Sequence, residues 1–221
     1  MKLKDYAILI GINAVITGLI VSFAISNQGK LNQSTLSSGT TNKTEAPQVE
    51  SMDDHHKPQP SNSTTFDNLS GKQAPDFTLE DYEGKKITLS SLKGKNVVLF
   101  FNEGLMCYPA CWNQIAAFGK DKRFNNDITV TFSIVIDSKK DWKEALNKMP
   151  ELASATVLYD SNRAVSQAYG ILTLNSSMHR GQFPGHTYII VDKEGIIRMA
   201  RDDSQMAVRN DELLVEIEKL K

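Results

Sequence analysis

The sequence predicts an α/β domain over residues 71–221, a central mixed β-sheet flanked by helices, preceded by an apolar N-terminal segment and a polar linker. Three observations predict it. Apolar runs of strand length alternate with stretches of helical period. The chain then closes on a hairpin signal and a last amphipathic helix. Apolar residues are also unevenly spread: residues 6–25 are almost wholly apolar and 27–70 mostly polar, so the core must come from the residues after 70.

The first segment, residues 1–26, reads as a membrane anchor. Lys2 and Lys4 precede an apolar stretch from Tyr6 to Ile25, interrupted only by uncharged Asn13, Thr17 and Ser22. That length suits one helical crossing of a bilayer, and the flanking charge puts the N-terminus inside and the rest outside. A cleaved signal peptide is the other reading, with Ala24-Ile25-Ser26 as a small-x-small site, although the run is longer than a usual signal core. Either reading places the C-terminal domain outside the cytoplasm. Residues 27–70 keep no sustained hydrophobic period and read as a disordered polar linker. Within it, Asp53-Asp54-His55-His56 reads as a polar patch with nothing to preorganise a metal site. Asn32, Asn42, Asn62 and Asn68 begin Asn-x-Ser/Thr sequons, which matter only where the host glycosylates.

In the domain, Phe77–Leu79 and Lys86–Leu89 flank Asp81-Tyr82-Glu83-Gly84, a hairpin signal. Val97–Phe101 is a continuous apolar run, as in a strand buried on both faces. A helix then runs to about Phe124, and Ile128–Ile136 is a second strand rich in β-branched residues. Asp141–Lys148 reads as a helix, Thr156–Tyr159 as a strand, and Arg163–Tyr169 as a helix stopped by Gly170. Tyr188–Val191 and Ile196–Met199 form a hairpin around Asp192–Gly195. Asn210 or Asp211 caps the final helix, with Leu213, Leu214, Ile217 and Leu220 on one face.

Composition narrows the function. The formal net charge is −1 and the short basic clusters are interleaved with acids, which argues against nucleic acid as a partner. Two cysteines make neither a disulfide-dense scaffold nor a four-cysteine zinc site. No phosphate-cradling glycine loop and no His-Glu-x-x-His is present.

Those two cysteines form the candidate site. Cys107 and Cys111 follow the C-terminal end of the buried strand, the edge at which α/β sites collect. Pro109 suits the first helical position, so Cys111 falls in the first turn, where unpaired N–H groups favour thiolate over thiol. One helical turn brings the two α-carbons to roughly 6 Å, within reach of a reversible disulfide. An inert structural disulfide is the competing reading, but so short a loop adds little stability.

Residues 72–203 resemble the redoxin group of the thioredoxin superfamily, nearest the peroxiredoxin (AhpC/TSA) family. Ala74-Pro75-Asp76-Phe77 is similar to that family's opening, continued by Gly84, Leu89, Leu92, Gly94 and Lys95. Val97–Phe101 resembles the strand leading to its active site, and Tyr159-Asp160, Tyr169-Gly170 and Thr187–Gly195 match later landmarks. The resemblance implies a thioredoxin-like fold and a thiol-dependent oxidoreductase. Such an enzyme reduces a peroxide or a disulfide substrate and is reset by an external thiol reductant, with no cofactor.

The site itself departs from the family's Pro-x-x-x-Thr-x-x-Cys. Counting back from Cys111, Tyr108 takes the Thr position and Gly104 the Pro position; from Cys107 they are Gly104 and Phe100. His186 stands where peroxiredoxins carry a supporting Arg and thioredoxins a cis-proline. The peroxiredoxin register makes Cys111 the attacking residue, whereas the thioredoxin register makes it Cys107. His186, Glu103 and Tyr108 are the candidate supporting residues, with Glu103 either moving protons for the resolving thiol or simply a solvated loop carboxylate. Trp112 reads as packing.

Cys-x-x-x-Cys with a downstream histidine is also similar to the membrane-tethered Sco-type copper chaperones of the same superfamily. That resemblance implies copper held by Cys107, Cys111 and His186, with His179 beside Met178 as a weaker ligand. The sequence thus supports an extracytoplasmic, membrane-tethered thiol oxidoreductase cycling Cys107 and Cys111, with copper carriage as the alternative.

Overall fold

A computed structural model describes residues 63–220, and packed structure begins before residue 71. Helix α1 (Thr64–Asp67) is a single turn that buries Phe66, and Leu69 is buried just after it. Phe66 and Leu69, expected to lie in the polar linker, therefore pack with the domain. Two apolar side chains in that stretch leave water by joining the domain's core. Asn68, at the end of the turn, donates its amide to the Thr64 carbonyl. The apolar segment 6–25, the rest of the linker, Asp53–His56 and the sequons at Asn32, Asn42 and Asn62 lie outside the described residues. Among the described residues no helix is long and apolar enough to cross a membrane.

Strands β1 (Thr78–Glu80) and β2 (Lys86–Thr88) form the first expected hairpin, with Leu79 opposite Ile87. Its turn is held by Asp81, whose Oδ1 accepts the backbone N–H groups of Glu83 and Lys85. Five further strands build the main sheet: β3 (Asn96–Phe101), β4 (Thr129–Val135), β5 (Val157–Tyr159), β6 (Thr187–Val191) and β7 (Ile197–Asp202). Their order is β5-β4-β3-β6-β7. β3 runs parallel to β4 and antiparallel to β6, so the sheet is mixed, as the alternation followed by a closing hairpin predicts.

Every residue of β3 is buried because both faces of the sheet are covered. Val97, Leu99 and Phe101 join one core with Phe66, Phe77, Ile134, Tyr169 and Ile189. Val98 and Phe100 point the other way, into a second core with Cys111, Ile115, Phe118, Trp142 and Tyr188. The second core is roofed by helices α2 (Ala110–Lys120), α3 (Lys139–Lys148) and α5 (Asn210–Glu218), and the first by α1, the hairpin and α4 (Ala164–Ala168).

Helix α3 starts at Ser138, whose Oγ accepts the Asp141 N–H, a cap worth about 1 kcal/mol. The start of α5 differs from expectation: neither Asn210 nor Asp211 caps it, and Arg209 takes that position without a side-chain cap. Both expected caps are engaged elsewhere. Asn210 hydrogen-bonds Gln114 and the Ala117 carbonyl, and Asp211 pairs with Arg123. Leu213 and Ile217 are buried as the period predicts, with Leu214 and Leu220 packed against them.

Candidate active site

The site lies where β3 ends and α2 begins. Asn102 reaches forward with Oδ1 to accept the Gly104 N–H at 3.0 Å, turning the chain out of the strand. Gly104 opens a short 3₁₀ turn, Gly104–Met106, and adopts φ +57°. A Cβ there would lie 1.6 Å from Asp137 Oδ2 and would have to displace that carboxylate, so both the backbone angle and the space favour glycine. The turn is pinned from two sides. Leu105 donates its N–H to Asp137 Oδ2 at 3.1 Å, and the Trp112 indole donates to the Gly104 carbonyl at 2.9 Å. Burial pushes the Asp137 carboxyl up to about 6 from its ordinary 3.8, against the pull of the Leu105 N–H. Trp112 is a packing residue with one polar duty, as its position after Cys111 suggests.

Cys107 ends that turn and Cys111 is the second residue of α2; the Cys111 N–H bonds back to the Cys107 carbonyl at 3.0 Å. The two sulfurs form a disulfide, S–S 2.03 Å with Cα–Cα 5.3 Å, matching the reach expected from one helical turn. Between them the Tyr108–Pro109 peptide is cis. Cys111 is fully buried and Cys107 is 3% exposed, whereas its neighbours Met106 and Tyr108 are 53% and 67% exposed. Tyr108 leans its ring edge-on to Trp112 and lies at the surface beside the disulfide.

His186 comes to the disulfide from the start of β6, beside the end of β3 and on the same face of the sheet as Cys111. It precedes β6, is 1% exposed, and sets Nδ1 3.5 Å from Cys111 Sγ. The segment leading to it packs tightly: a Cβ on Gly185 would meet Ser176 Oγ at 2.1 Å. Phe100 packs against the imidazole edge-on at 4.6 Å. Burial pushes His186 down to about 4, outweighing Asp203 and the Ala207 carbonyl, which both favour the protonated ring. The imidazole is therefore neutral at ordinary pH. Cys107, Cys111 and His186 bring their ligand atoms within 4.8 Å of one another, all buried.

Glu103 is neither a solvated loop carboxylate nor a partner of the sulfurs. It is 1% exposed, and Oε1 accepts from Ser177 Oγ, the Met178 N–H and the His179 N–H, while Oε2 lies 3.0 Å from His179 Nδ1. It clamps the 177–179 segment, on the way to His186, against the end of β3. His179 belongs to that clamp and stands apart from the cysteine–histidine cluster.

Three residues with polar duties at the site were not among the sequence candidates. Tyr188, inside β6, is fully buried with its hydroxyl 2.8 Å from His186 Nε2. Gln114 accepts from that hydroxyl at 2.8 Å. Asp137 holds the turn before Cys107. Gln114 lies one helical turn after Cys111, a spacing that puts it on the same face, and this was the one signal available.

The AhpC/TSA family model matches residues 70–200. The chain belongs to the AhpC/TSA family. Among curated relatives, it is 29% identical over 158 residues to "Peroxiredoxin Q, chloroplastic" of Sedum lineare, covering 68% of this chain and 78% of that one. It is 30% identical over 138 residues to the peroxiredoxin Q of Suaeda salsa, covering 58% of each, so it spans little more than half of that relative. Among solved structures, the mitochondrial 2-Cys peroxiredoxin of Plasmodium falciparum aligns with a TM-score of 0.55 at 26% identity, over 68% of this chain and 93% of that one. The fold is thus thioredoxin-like, and the chain is a thiol-dependent oxidoreductase of the peroxiredoxin kind. The sequence has two cysteines, and both are in the disulfide at the β3–α2 junction.

Proposed function

We propose that this AhpC/TSA protein is an extracytoplasmic, membrane-tethered enzyme that cycles Cys107 and Cys111 between dithiol and disulfide while reducing a peroxide or a disulfide. In the peroxide branch one thiolate attacks the O–O bond, giving a sulfenic acid and releasing alcohol or water. The second sulfur then displaces water to close the disulfide. In the disulfide branch the first thiolate forms a mixed disulfide, and the second releases the reduced substrate thiol. An external dithiol returns the two electrons and resets the pair. No cofactor enters either branch.

The observation that carries this reading is the Cys107–Cys111 disulfide at the end of the central strand, with a buried imidazole nitrogen 3.5 Å from Cys111 Sγ. A merely structural cross-link has no use for that nitrogen. The expected outcome is that Cys107→Ser and Cys111→Ser each lose turnover. Full turnover by either variant sinks the mechanism. Hydrogen peroxide and a protein disulfide, offered separately to the reduced protein while free thiols are followed, distinguish the two branches.

The membrane placement is supported by the basic residues and apolar segment that begin the chain, with the bilayer engaged through residues 6–25. Recovery of the full chain in the membrane fraction after a carbonate wash is expected. Recovery in the soluble cytosolic fraction overturns it.

Cuprous ion is the second reading, favoured by the convergence of Cys107, Cys111 and His186 within 4.8 Å. Two thiolates and an imidazole are soft donors suited to that ion. One equivalent of cuprous ion added to the reduced protein decides it: retention with slow thiol oxidation supports the carrier, and no retention dismisses it.

A further inference from the structure

The Tyr188 hydroxyl is surrounded by three polar atoms: Gln114 Oε1 at 2.8 Å, the Ala207 carbonyl oxygen at 3.1 Å and His186 Nε2 at 2.8 Å. The first two can only accept. Ala207 offers a carbonyl, and the Gln114 amide is oriented because the Arg209 backbone N–H, an obligate donor, lies 2.7 Å from Oε1. On its other side Gln114 Nε2 donates to Asn210 Oδ1 at 2.9 Å. A phenol has one proton, and here both of its acceptors are fixed. Its remaining neighbour, His186 Nε2, must then supply the hydrogen of the third contact. Otherwise two lone pairs would face each other at 2.8 Å in a buried site.

We infer that Tyr188 is a positioning residue, which with Gln114 and the Ala207 carbonyl holds His186 as the Nε2–H tautomer and leaves Nδ1 as a bare lone pair aimed at Cys111. The sulfur that this lone pair serves is Cys111 and not Cys107. In the reduced protein Nδ1 accepts a hydrogen bond from the Cys111 S–H. As the disulfide closes, that proton passes to Nδ1 and the Cys111 sulfur attacks the Cys107 sulfur. The group leaving Cys107, hydroxide from the peroxide branch or thiolate from the disulfide branch, takes the proton away as water or thiol. The opposite tautomer, with a hydrogen on Nδ1, has no place for the Cys111 proton. This inference rests on the cycling proposed above, but its first test does not.

That test is the ¹⁵N resonance pair of the His186 ring in wild type and Tyr188→Phe, which keeps the ring stacked on Phe100 and removes only the hydroxyl. Wild type is expected to show the proton on Nε2 in both redox states, and Tyr188→Phe a mixture of tautomers. A proton on Nδ1 in reduced wild type overturns the inference whether or not the enzyme cycles. The second measurement is the rate of disulfide closure after one equivalent of hydrogen peroxide or of a protein disulfide. Tyr188→Phe is expected to slow it by several-fold, and His186→Gln by about 100-fold, the usual worth of a positioned proton acceptor. Unchanged closure in both variants overturns the role. A wild type inert to peroxide and disulfide alike defeats the proposed cycle, and the role with it, leaving the ring's tautomer to the resonances.

Discussion

At the scale of single residues, the turn before Cys107 depends on Gly104, where a larger side chain is strained and must displace Asp137. Gly104 combines a positive φ with a Cβ direction blocked at 1.6 Å by Asp137 Oδ2, and Val135 closes the space behind. The residue therefore lets the chain turn between β3 and Cys107 while Asp137 grips the next N–H. Gly104→Ala is expected to cost about 2–4 kcal/mol, from backbone strain together with displacement of the carboxylate. Urea denaturation of the pair of proteins measures it, and a difference under about 0.5 kcal/mol would contradict this account of the turn. Glu103, the preceding residue, shows the complementary case. Its carboxylate is buried yet meets three hydrogen-bond donors on one oxygen and the His179 ring on the other, so burial does not leave it unpaired.

At the scale of elements, the end of β4 is tied to the turn before Cys107 through Asp137, and that tie is sensitive to pH. The native carboxyl has its pKa raised to about 6 by burial, while in the unfolded chain it keeps its ordinary 3.8. Between those values the native state holds a proton that the unfolded state has lost. The native state thus binds more protons, and stability falls as pH rises through the window. The contribution is fully present below pH 4 and gone above pH 6, with a size of about 3 kcal/mol. Asp137→Asn keeps an oxygen for the Leu105 N–H and cannot ionise. Compared at pH 4.5 and 7.5, the variant is expected to lose less stability than wild type across the interval. Equal losses would show that another group titrates there.

At the scale of the whole molecule, the two cores on either side of β3 hold the fold, and the disulfide adds little to them. Its ring spans only four residues of separation, so in the chain-entropy view it restricts the unfolded chain by about 2 kcal/mol. Reduction with a strong dithiol is therefore expected to lower the melting temperature of the domain by about 4–8 °C and to leave it folded at 25 °C. Calorimetry in the two redox states checks this. Unfolding on reduction would mark the bond as a structural staple, whereas a small shift suits a bond that opens and closes in use.

The sheet's plan and the position of the cysteine pair at its edge are legible in the order of the residues alone. Val97–Phe101 could be buried on both faces only if helices covered both, the two hairpin signals closed where they predict, and the spacing of Cys107 and Cys111 already put a disulfide within reach. Periodicity and local spacing carry such information because they are properties of neighbouring residues. Other features were decided by packing between distant segments. The burial of Phe66 and Leu69 depends on a face completed far along the chain. Asn210 and Asp211 look like caps until α2 and Arg123 claim their side chains. In the sequence Tyr188 is simply the first residue of a strand and Gln114 one position of the helix that follows Cys111. Only the docking of α2, β6 and the approach to α5 turns them toward each other and toward His186. A hydrogen bond between residues 74 positions apart leaves no local pattern in the chain, and it is such bonds that orient the imidazole on Cys111.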